Sequence, residues 1–569
     1  MSHFLFRRKK LDDLLRDRDR PGASLRRALS AVDLTALGIG AIIGAGIFAT
    51  TGSAVAGTLD RPGAGPALML SYLLTAMACG FCALCYAEFA AMIPISGSAY
   101  TYAYATLGEF VAWIIGWDLI IEYAVGNVAV AVSWSGYLRE FLRGFGIEFP
   151  GWLSTDYRTA HQSAEILAHA PTLLGIPIVV NLPAILIVAA VTVVLVLGVK
   201  ESSNLNTAMV AVKLVVIIGF ILAGCLYVKP ENWHPFAPNG WSGIATGAAL
   251  IFFSYIGFDA ISTTAEEARN PQRDLPIAMI ASLAICTLIY VFVTAVLTGI
   301  VPYRHLGTAE PLATALSMIR LEWAAGFVSF GAVVSMTAVL LVFQLGQPRI
   351  FFSMSRDGLL PRGFAAVHRR FRTPHVTTIL TGVFVAFFAG FMDINEAVEL
   401  TNIGTLFAFI LVGLGVILLR YREPQRNRPF RCPAVPWIPL LGIASCAYLM
   451  IQLPWLTWVR FVVWLFVGLC IYFLYGAERS SLHRGESLDV VSHQVLRTRR
   501  WIGGGLIAAA AVLTYSGLAR HGELSDRIGQ VLAIPFSGDT LHRVVAANGL
   551  ALLVLGTWFL ARSRVKRNH

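Results

Sequence analysis

Long blocks of apolar residues, each about one bilayer thick, follow one another along the chain with short polar breaks between them. Taking roughly 17 to 25 apolar residues as one crossing, the pattern predicts helices at 33–56, 66–93, 108–138, 181–199, 206–228, 243–265 and 277–300. A second series follows at 322–346, 376–392, 397–419, 434–453, 455–475, 501–518 and 544–561, which makes about 14 spans. Hydrocarbon offers a backbone amide no partner, and strands of alternating polarity are absent from the pattern, so the spans are expected to be helices. The expected fold is an all-α polytopic membrane protein.

Two of the blocks are interrupted. GIGAIIGAGIF, from Gly38 to Phe48, puts four glycines in the first, and the sixth carries SYIGFDA in its middle. The two breaks are offset by five spans. Five is odd, so two five-span units would run in opposite senses, the arrangement of inverted-repeat transporters whose broken helices meet near the midplane. The expected organisation is a basic cytoplasmic N-terminus over 1–30, a ten-span 5+5 core over 31–419 and a two-span segment over 420–475. A cytoplasmic linker over 476–500 and a two-span appendage with a basic tail over 501–569 complete it.

The breaks carry chemistry. Interrupting a helix at Gly44, Ala45 and Gly46, just after Ile42 and Ile43, leaves amides without intrahelical partners where lipid cannot satisfy them; an anionic group can. The positive end of the half-helix that follows adds to the attraction, and glycine permits close approach. Tight helix crossing is the other reading, since Gly40 and Gly44 have small-xxx-small spacing. In IFFSYIGFDAIST, Gly257 can unwind the sixth span and free carbonyls of Phe253, Ser254 and Ile256 for an ammonium. Donors from one break and acceptors from another suit the zwitterionic part of an amino acid. Phe253 then covers the substrate side chain, or simply packs.

Ionisable residues inside spans point the same way, because burying them is costly. Glu122, in GWDLIIEYAVGN, is mid-span with Asp118 one turn earlier, and Lys213 is mid-span in NTAMVAVKLVVII. A desolvated carboxyl can cycle a proton, and a lysine beside the breaks supplies a fixed positive charge, so the expected coupling ion is the proton. Snorkelling to an interface is the other reading of Lys213. Asp118 and Asp259 are expected to cap or tie helices.

Charge changes the picture only in orientation. The composition is 56% hydrophobic and 14% charged, with a net charge of +11. With the N-terminus inside, 32 of the 44 Lys and Arg fall on the cytoplasmic side and 11 outside, with Lys213 in a span. The positive-inside bias therefore explains the charge without nucleic acid. No cleavable signal peptide is seen. Cys79, Cys82 and Cys85 share one face of the second span and read as helix-contact residues, with no His or acid to suggest a metal. The loop from Glu140 to Ile176 is expected outside, and 306–320 reads as an external helix.

At this point the residues resemble a family. GIGAIIGAGIF, FFSYIGFDAISTTAEEARNPQRDLPIAM and QPRIFFSMSRDGLLP are similar to signatures of the amino acid-polyamine-organocation superfamily, and the segment from FRCPAVPWIPLL to IYFLYG resembles the C-terminal part of its cationic amino acid transporters. The resemblance covers roughly residues 25–480. It implies a 5+5 core with the carboxylate on Gly44, Ala45 and Gly46, the ammonium near Phe253, Ser254 and Ile256, Lys213 at the usual sodium position and Glu122 as a proton site. Ala45 stands where relatives often have a hydroxyl. The last two spans have no counterpart in a twelve-span core.

A cationic side chain wants a carboxylate or an aromatic cage, and no acid in the spans is clearly free for it. Met336, in VVSMTAVLL, faces the pocket and shortens it, or packs. Charged residues after the sixth span (Glu266, Glu267, Arg269, Arg273, Asp274) and after the eighth (Arg349, Arg356, Asp357) form an inner gate or a solvated loop. The reading that results is a proton-coupled amino acid permease of the plasma membrane, the inner membrane in a bacterium, with both termini cytoplasmic and the lipid bilayer as its surroundings. An exchanger or an amino acid sensor is the alternative. No cofactor is expected, and an enzyme is not, since no metal-spacing cluster, nucleophile elbow or phosphate loop is present.

Overall fold

The computed structural model describes residues 7–9, 29–58, 61–93, 98–161, 163–173, 176–198, 203–371, 373–480, 482 and 557. Among them nine helices are long and apolar enough to cross a membrane, and three are shorter and apolar. In chain order the first to sixth are Ala31–Ala56, Gly65–Met92, Glu109–Arg143, Leu182–Leu197, Ser203–Cys225 and Gly240–Ser262. The seventh to twelfth are Pro271–Ile300, Glu322–Arg356, His375–Phe391, Ile394–Arg422, Trp437–Ile451 and Trp455–Arg479. Two two-stranded hairpins, Gly57–Thr58 with Arg61–Pro62 and Thr172–Leu173 with Ile176–Pro177, are the paired strands among the described residues. The chain is an all-α membrane protein.

Each of the first twelve expected stretches meets one of these helices. The seventh starts at Pro271 rather than 277, because proline suits a first helical position, where no N–H partner is needed. The eighth runs to Arg356 rather than 346, because hydropathy marks the edge of the hydrocarbon and not the last backbone hydrogen bond. The stretches at 501–518 and 544–561, nearly all of the 476–500 linker beyond Ser480 and most of 1–30 lie outside the described residues.

Sequence sets the ends. The first helix opens on a capping box, with Ser30 N–H donating to Asp33 Oδ2 at 2.9 Å and Asp33 N–H to Ser30 Oγ at 3.4 Å. The tenth is capped by Asp393, whose Oδ1 accepts from Asn395 and Glu396 amides. Burial, aided by the charge of Asp156, pushes the Asp393 carboxyl up to about 6. On the fifth helix Val215, Ile218 and Leu222 are exposed at i, i+3 and i+7, an apolar stripe suited to lipid, while Lys213 is fully buried on another face.

The chain packs as two units. In the larger, 8–350 with 367–453, the seventh helix runs along the first and second, the fourth along the ninth, and the tenth along the eleventh. The loop after the third helix is a small cap with its own core of Ala160, Ala170 and Val179 under Trp152 and Ile166. Glu88, 1% exposed near the end of the second helix, holds Arg420 through Nε at 2.9 Å and Nη2 at 2.7 Å, Arg428 Nε at 3.1 Å and the Cys432 amide at 2.8 Å. Four donors on one buried carboxylate make a charge fully compensated in place. In the smaller unit, Ser355 Oγ donates to Pro361 O at 2.8 Å, Phe351 meets Phe364 edge-on, and the twelfth helix passes through a π turn, Tyr472–Gly476, near its end.

Candidate functional site

The first helix stops at Ile42. Ile43 turns out of helical geometry (φ −76°, ψ 103°), and the chain resumes through a π turn, Gly46–Thr50, into Thr51–Ala56. The carbonyls left at the end of the first half are taken by side chains. Lys213 Nζ donates to Gly40 O at 2.7 Å and Ile43 O at 3.0 Å, and Ser335 Oγ donates to Ile43 O at 3.2 Å. Lys213 thus reaches inward and does not snorkel. The amides of Gly44, Ala45 and Gly46 open the second half, where no preceding turn supplies acceptors.

The sixth helix breaks one residue after its aromatic cluster. Helix Gly240–Ile251 tightens to a 3-10 turn over Phe252–Tyr255, Ile256 is extended (φ −60°, ψ 132°), Gly257 takes φ +122°, and a second 3-10 segment covers Asp259–Glu267. That φ is open to glycine and strained for other residues. Asn402 Nδ2, from the tenth helix, donates to Ala249 O at 2.8 Å and Leu250 O at 3.0 Å.

The two breaks touch. A Cβ on Gly46 would collide with Ser254 Cα, and one on Gly257 would come within 2.9 Å of the Ala41 backbone. Tyr290 OH lies 3.0 Å from Ile42 O and 2.9 Å from Ser254 O; with one hydrogen it donates to either break at a time and so ties them together. Ser254 Oγ is buried beside Gly46 with no hydrogen-bond partner among the described residues. A small cavity of about 20 Å³ is lined by Ser53 of the first helix, Thr246 and Leu250 of the sixth, and both members of the Arg61–Glu399 ion pair.

The structure therefore brings Ile42, Ile43, Gly44, Ala45 and Gly46 together with Ser254, next to Phe253 and Ile256. Met336 is fully buried with its sulfur 3.0 Å from Ser133 Oγ of the third helix, while its neighbour Ser335 reaches the first break. Glu122 sits in a second setting, on a π turn (Ile121–Val125) of the third helix, interacting with Asp118, Asp259 and Thr405. π turns of this kind are frequent at functional sites.

One expectation is corrected. Asp118 caps or ties no helix by a hydrogen bond among the described residues: both its carboxylate oxygens are buried there without a hydrogen-bond partner. Asp259 lies near the amides of Gly257 and Ala260 without a well-formed hydrogen bond. Among the gate residues, Asp274 accepts from the Asn270 amide at the start of its own helix, and Arg269 N–H pairs with Leu29 O. The segment expected as an external helix, 306–320, holds a helix over Pro311–Met318 and follows a turn at Tyr303–His305; a Cβ on Gly52 of the first helix would meet the Leu306 and Thr308 carbonyls. Cys82 Sγ meets Cys446 Sγ of the eleventh helix at 3.4 Å, a helix contact as expected. Among the described residues no group of three or more His, Cys, Asp and Glu is placed to hold a metal.

Tyr290, Ser335 and Asn402 went unnoticed in the sequence. Each is a neutral polar residue inside an apolar span, and that is the one signal that marks them.

Comparison with known proteins places the chain among relatives. A family model described as amino acid permease matches residues 29–485. The chain is 46% identical to the branched-chain amino acid permease BcaP of Bacillus subtilis (strain 168), over 85% of this chain and 100% of that protein. It is 44% identical to the methylthioribose transporter of the same organism, over 84% of this chain and 99% of that one. It is 38% identical to the vacuolar cationic amino acid transporter 4 of Arabidopsis thaliana, over 74% of this chain and 68% of that one. With the family pattern running through both broken helices and on into the twelfth, the chain belongs to the amino acid permease family.

Proposed function

We propose that the protein carries small or medium neutral amino acids across the plasma membrane by alternating access, in symport with protons, with a 5+5 inverted-repeat core and both termini cytoplasmic. The observation that carries this reading is the close contact of the two breaks, where Gly46 of the first lies against Ser254 of the sixth and Tyr290 OH is within reach of a carbonyl of each. The substrate carboxylate binds the amides of Gly44, Ala45 and Gly46, beside Ile42 and Ile43. Its ammonium binds carbonyls of Phe253, Ser254 and Ile256, which keep lone pairs beyond those already used.

Lys213 acts as a fixed cation that holds the first half-helix open from its carbonyl end, where a metal ion would otherwise serve. Glu122 takes and releases the proton from the π turn of the third helix, beside Asp118 and Asp259. Apolar and thioether walls around Phe253 and Met336 favour a neutral side chain, in line with the name of the relative BcaP. The Arg61–Glu399 pair closes the approach next to Ser53 and Thr246.

The test is uptake of labelled amino acids into proteoliposomes holding this protein alone, with and without an inward proton gradient and without sodium. Gradient-driven accumulation lost in Glu122→Gln supports the reading; accumulation equal to the parent in that variant removes Glu122 from coupling. A Met336→Ser protein is expected to admit longer cationic side chains. Methylthioribose belongs in the same panel because of the second relative. If it alone accumulates, the zwitterion site is misassigned.

A further inference from the structure

The third helix ends at Arg143 and the eighth begins at Glu322, and both residues line one groove of about 580 Å³. That size falls within the ~300–1,000 Å³ usual for small-molecule sites. Its walls are aromatic: Phe141, Phe145, Trp323, Phe327 and Phe330. Phe141 meets Phe145 edge-on at 5.1 Å and leans on Phe330 at 5.7 Å, while Phe145 and Trp323 are 70% and 72% exposed. Aromatic rings at the ends of spanning helices, turned away from the protein, sit at the depth of lipid headgroups.

The rim is charged in a specific ratio. Arg143 Nη2 is 2.8 Å from Glu140 Oε1, yet its side chain is 60% exposed and keeps other donors. Glu322 Oε2 accepts from Ser317 Oγ at 3.1 Å and has a second oxygen available. One guanidinium beside two carboxylates suits a headgroup that carries both signs. A phosphate fits the guanidinium fork, and a primary ammonium has N–H groups for the carboxylates. An anionic headgroup would meet two like charges, and a quaternary ammonium has no proton to donate.

We propose that this groove binds a phospholipid with a phosphoethanolamine headgroup, its acyl chain along the aromatic wall, its phosphate on Arg143 and its ammonium between Glu140 and Glu322. Gly326 lines the groove, and a Cβ there would meet nothing within 4 Å. A larger side chain at that position therefore fills the groove without forcing the backbone, far in sequence from both helix breaks.

The experiment is native mass spectrometry of the delipidated full chain titrated with phosphatidylethanolamine, phosphatidylcholine and phosphatidylglycerol of identical acyl chains. The expected result is about tenfold tighter retention of phosphatidylethanolamine than of either other lipid. Gly326→Leu should abolish that preference by filling the groove. Glu322→Gln, on the exposed rim, should reduce the preference over phosphatidylcholine and provides the test if the leucine variant does not fold. Equal retention of all three lipids, a preference for phosphatidylglycerol, or a phosphatidylethanolamine preference unchanged in the folded variants would each overturn the proposal.

Discussion

The first and sixth helices both break, but they are held open by different means. In the first, the exposed carbonyls are taken by an ammonium, a hydroxyl and a phenol, from Lys213, Ser335 and Tyr290. In the sixth, a neutral amide from Asn402 takes two carbonyls before the break, and the turn itself is enforced by the positive φ of Gly257. One break is propped by side-chain donors and the other by backbone geometry. In the first, side-chain donors reach the carbonyls of Gly40, Ile42 and Ile43, whereas beside the sixth the Ser254 hydroxyl is buried with no hydrogen-bond partner among the described residues.

The strongest way to break this comparison is to remove the geometry of the sixth helix. Gly257→Ala meets a φ strained for alanine and the backbone of Ala41, at a cost of roughly 1–3 kcal/mol for strain alone. Substrate binding should fall by ~100-fold or more in a direct binding assay, and a parent-like affinity would show that the break is not needed for binding. Lys213→Ala tests the other prop. It leaves the Ile43 and Gly40 carbonyls short of a donor, costing about 1–3 kcal/mol, so binding should weaken ~10–100-fold and gradient-driven accumulation should vanish. A variant that binds weakly yet still concentrates substrate would keep Lys213 as a prop and remove it from coupling.

Tyr290→Phe cuts the tie between the breaks and leaves Lys213, Ser335 and the Gly257 turn in place. About 1 kcal/mol is at stake for one hydrogen bond, and an affinity loss of roughly fivefold is expected by isothermal titration. The smallest effect lies away from both breaks. The Asp393 carboxyl is raised to about 6 in the fold, so the folded chain holds its proton more tightly than the unfolded one, and stability falls as pH rises from about 4 to 6. Asp393→Asn keeps a capping oxygen and should flatten that slope, read as the difference in thermal midpoint between pH 4.5 and 7.5. Transport should be unchanged.

Much of this was legible in one sequence. Helix positions follow from the length of apolar blocks, and both breaks from glycines set in apolar surroundings. Lys213 and Glu122 stood out because an ion in a span demands a reason. Tyr290, Ser335 and Asn402 did not, because a single hydroxyl or amide in an apolar helix reads as ordinary packing until the facing helix is known. Asp118 was misread for the same cause: spacing along one helix says nothing of what lies across from it. The face of Met336 also depends on register between helices, which no single chain pattern encodes.

Glu88 and the arginines that neutralise it lie 332 and 340 residues apart in the chain. During synthesis the second helix leaves the ribosome long before either arginine exists. Until then its carboxylate must stay at the membrane surface, since an unpaired buried charge costs several kcal/mol. Final seating of the second helix is thus deferred until the connection before the eleventh helix arrives. A chain cut at residue 419 would keep every residue of the helix breaks and still lack the counter-charges that let its second helix settle.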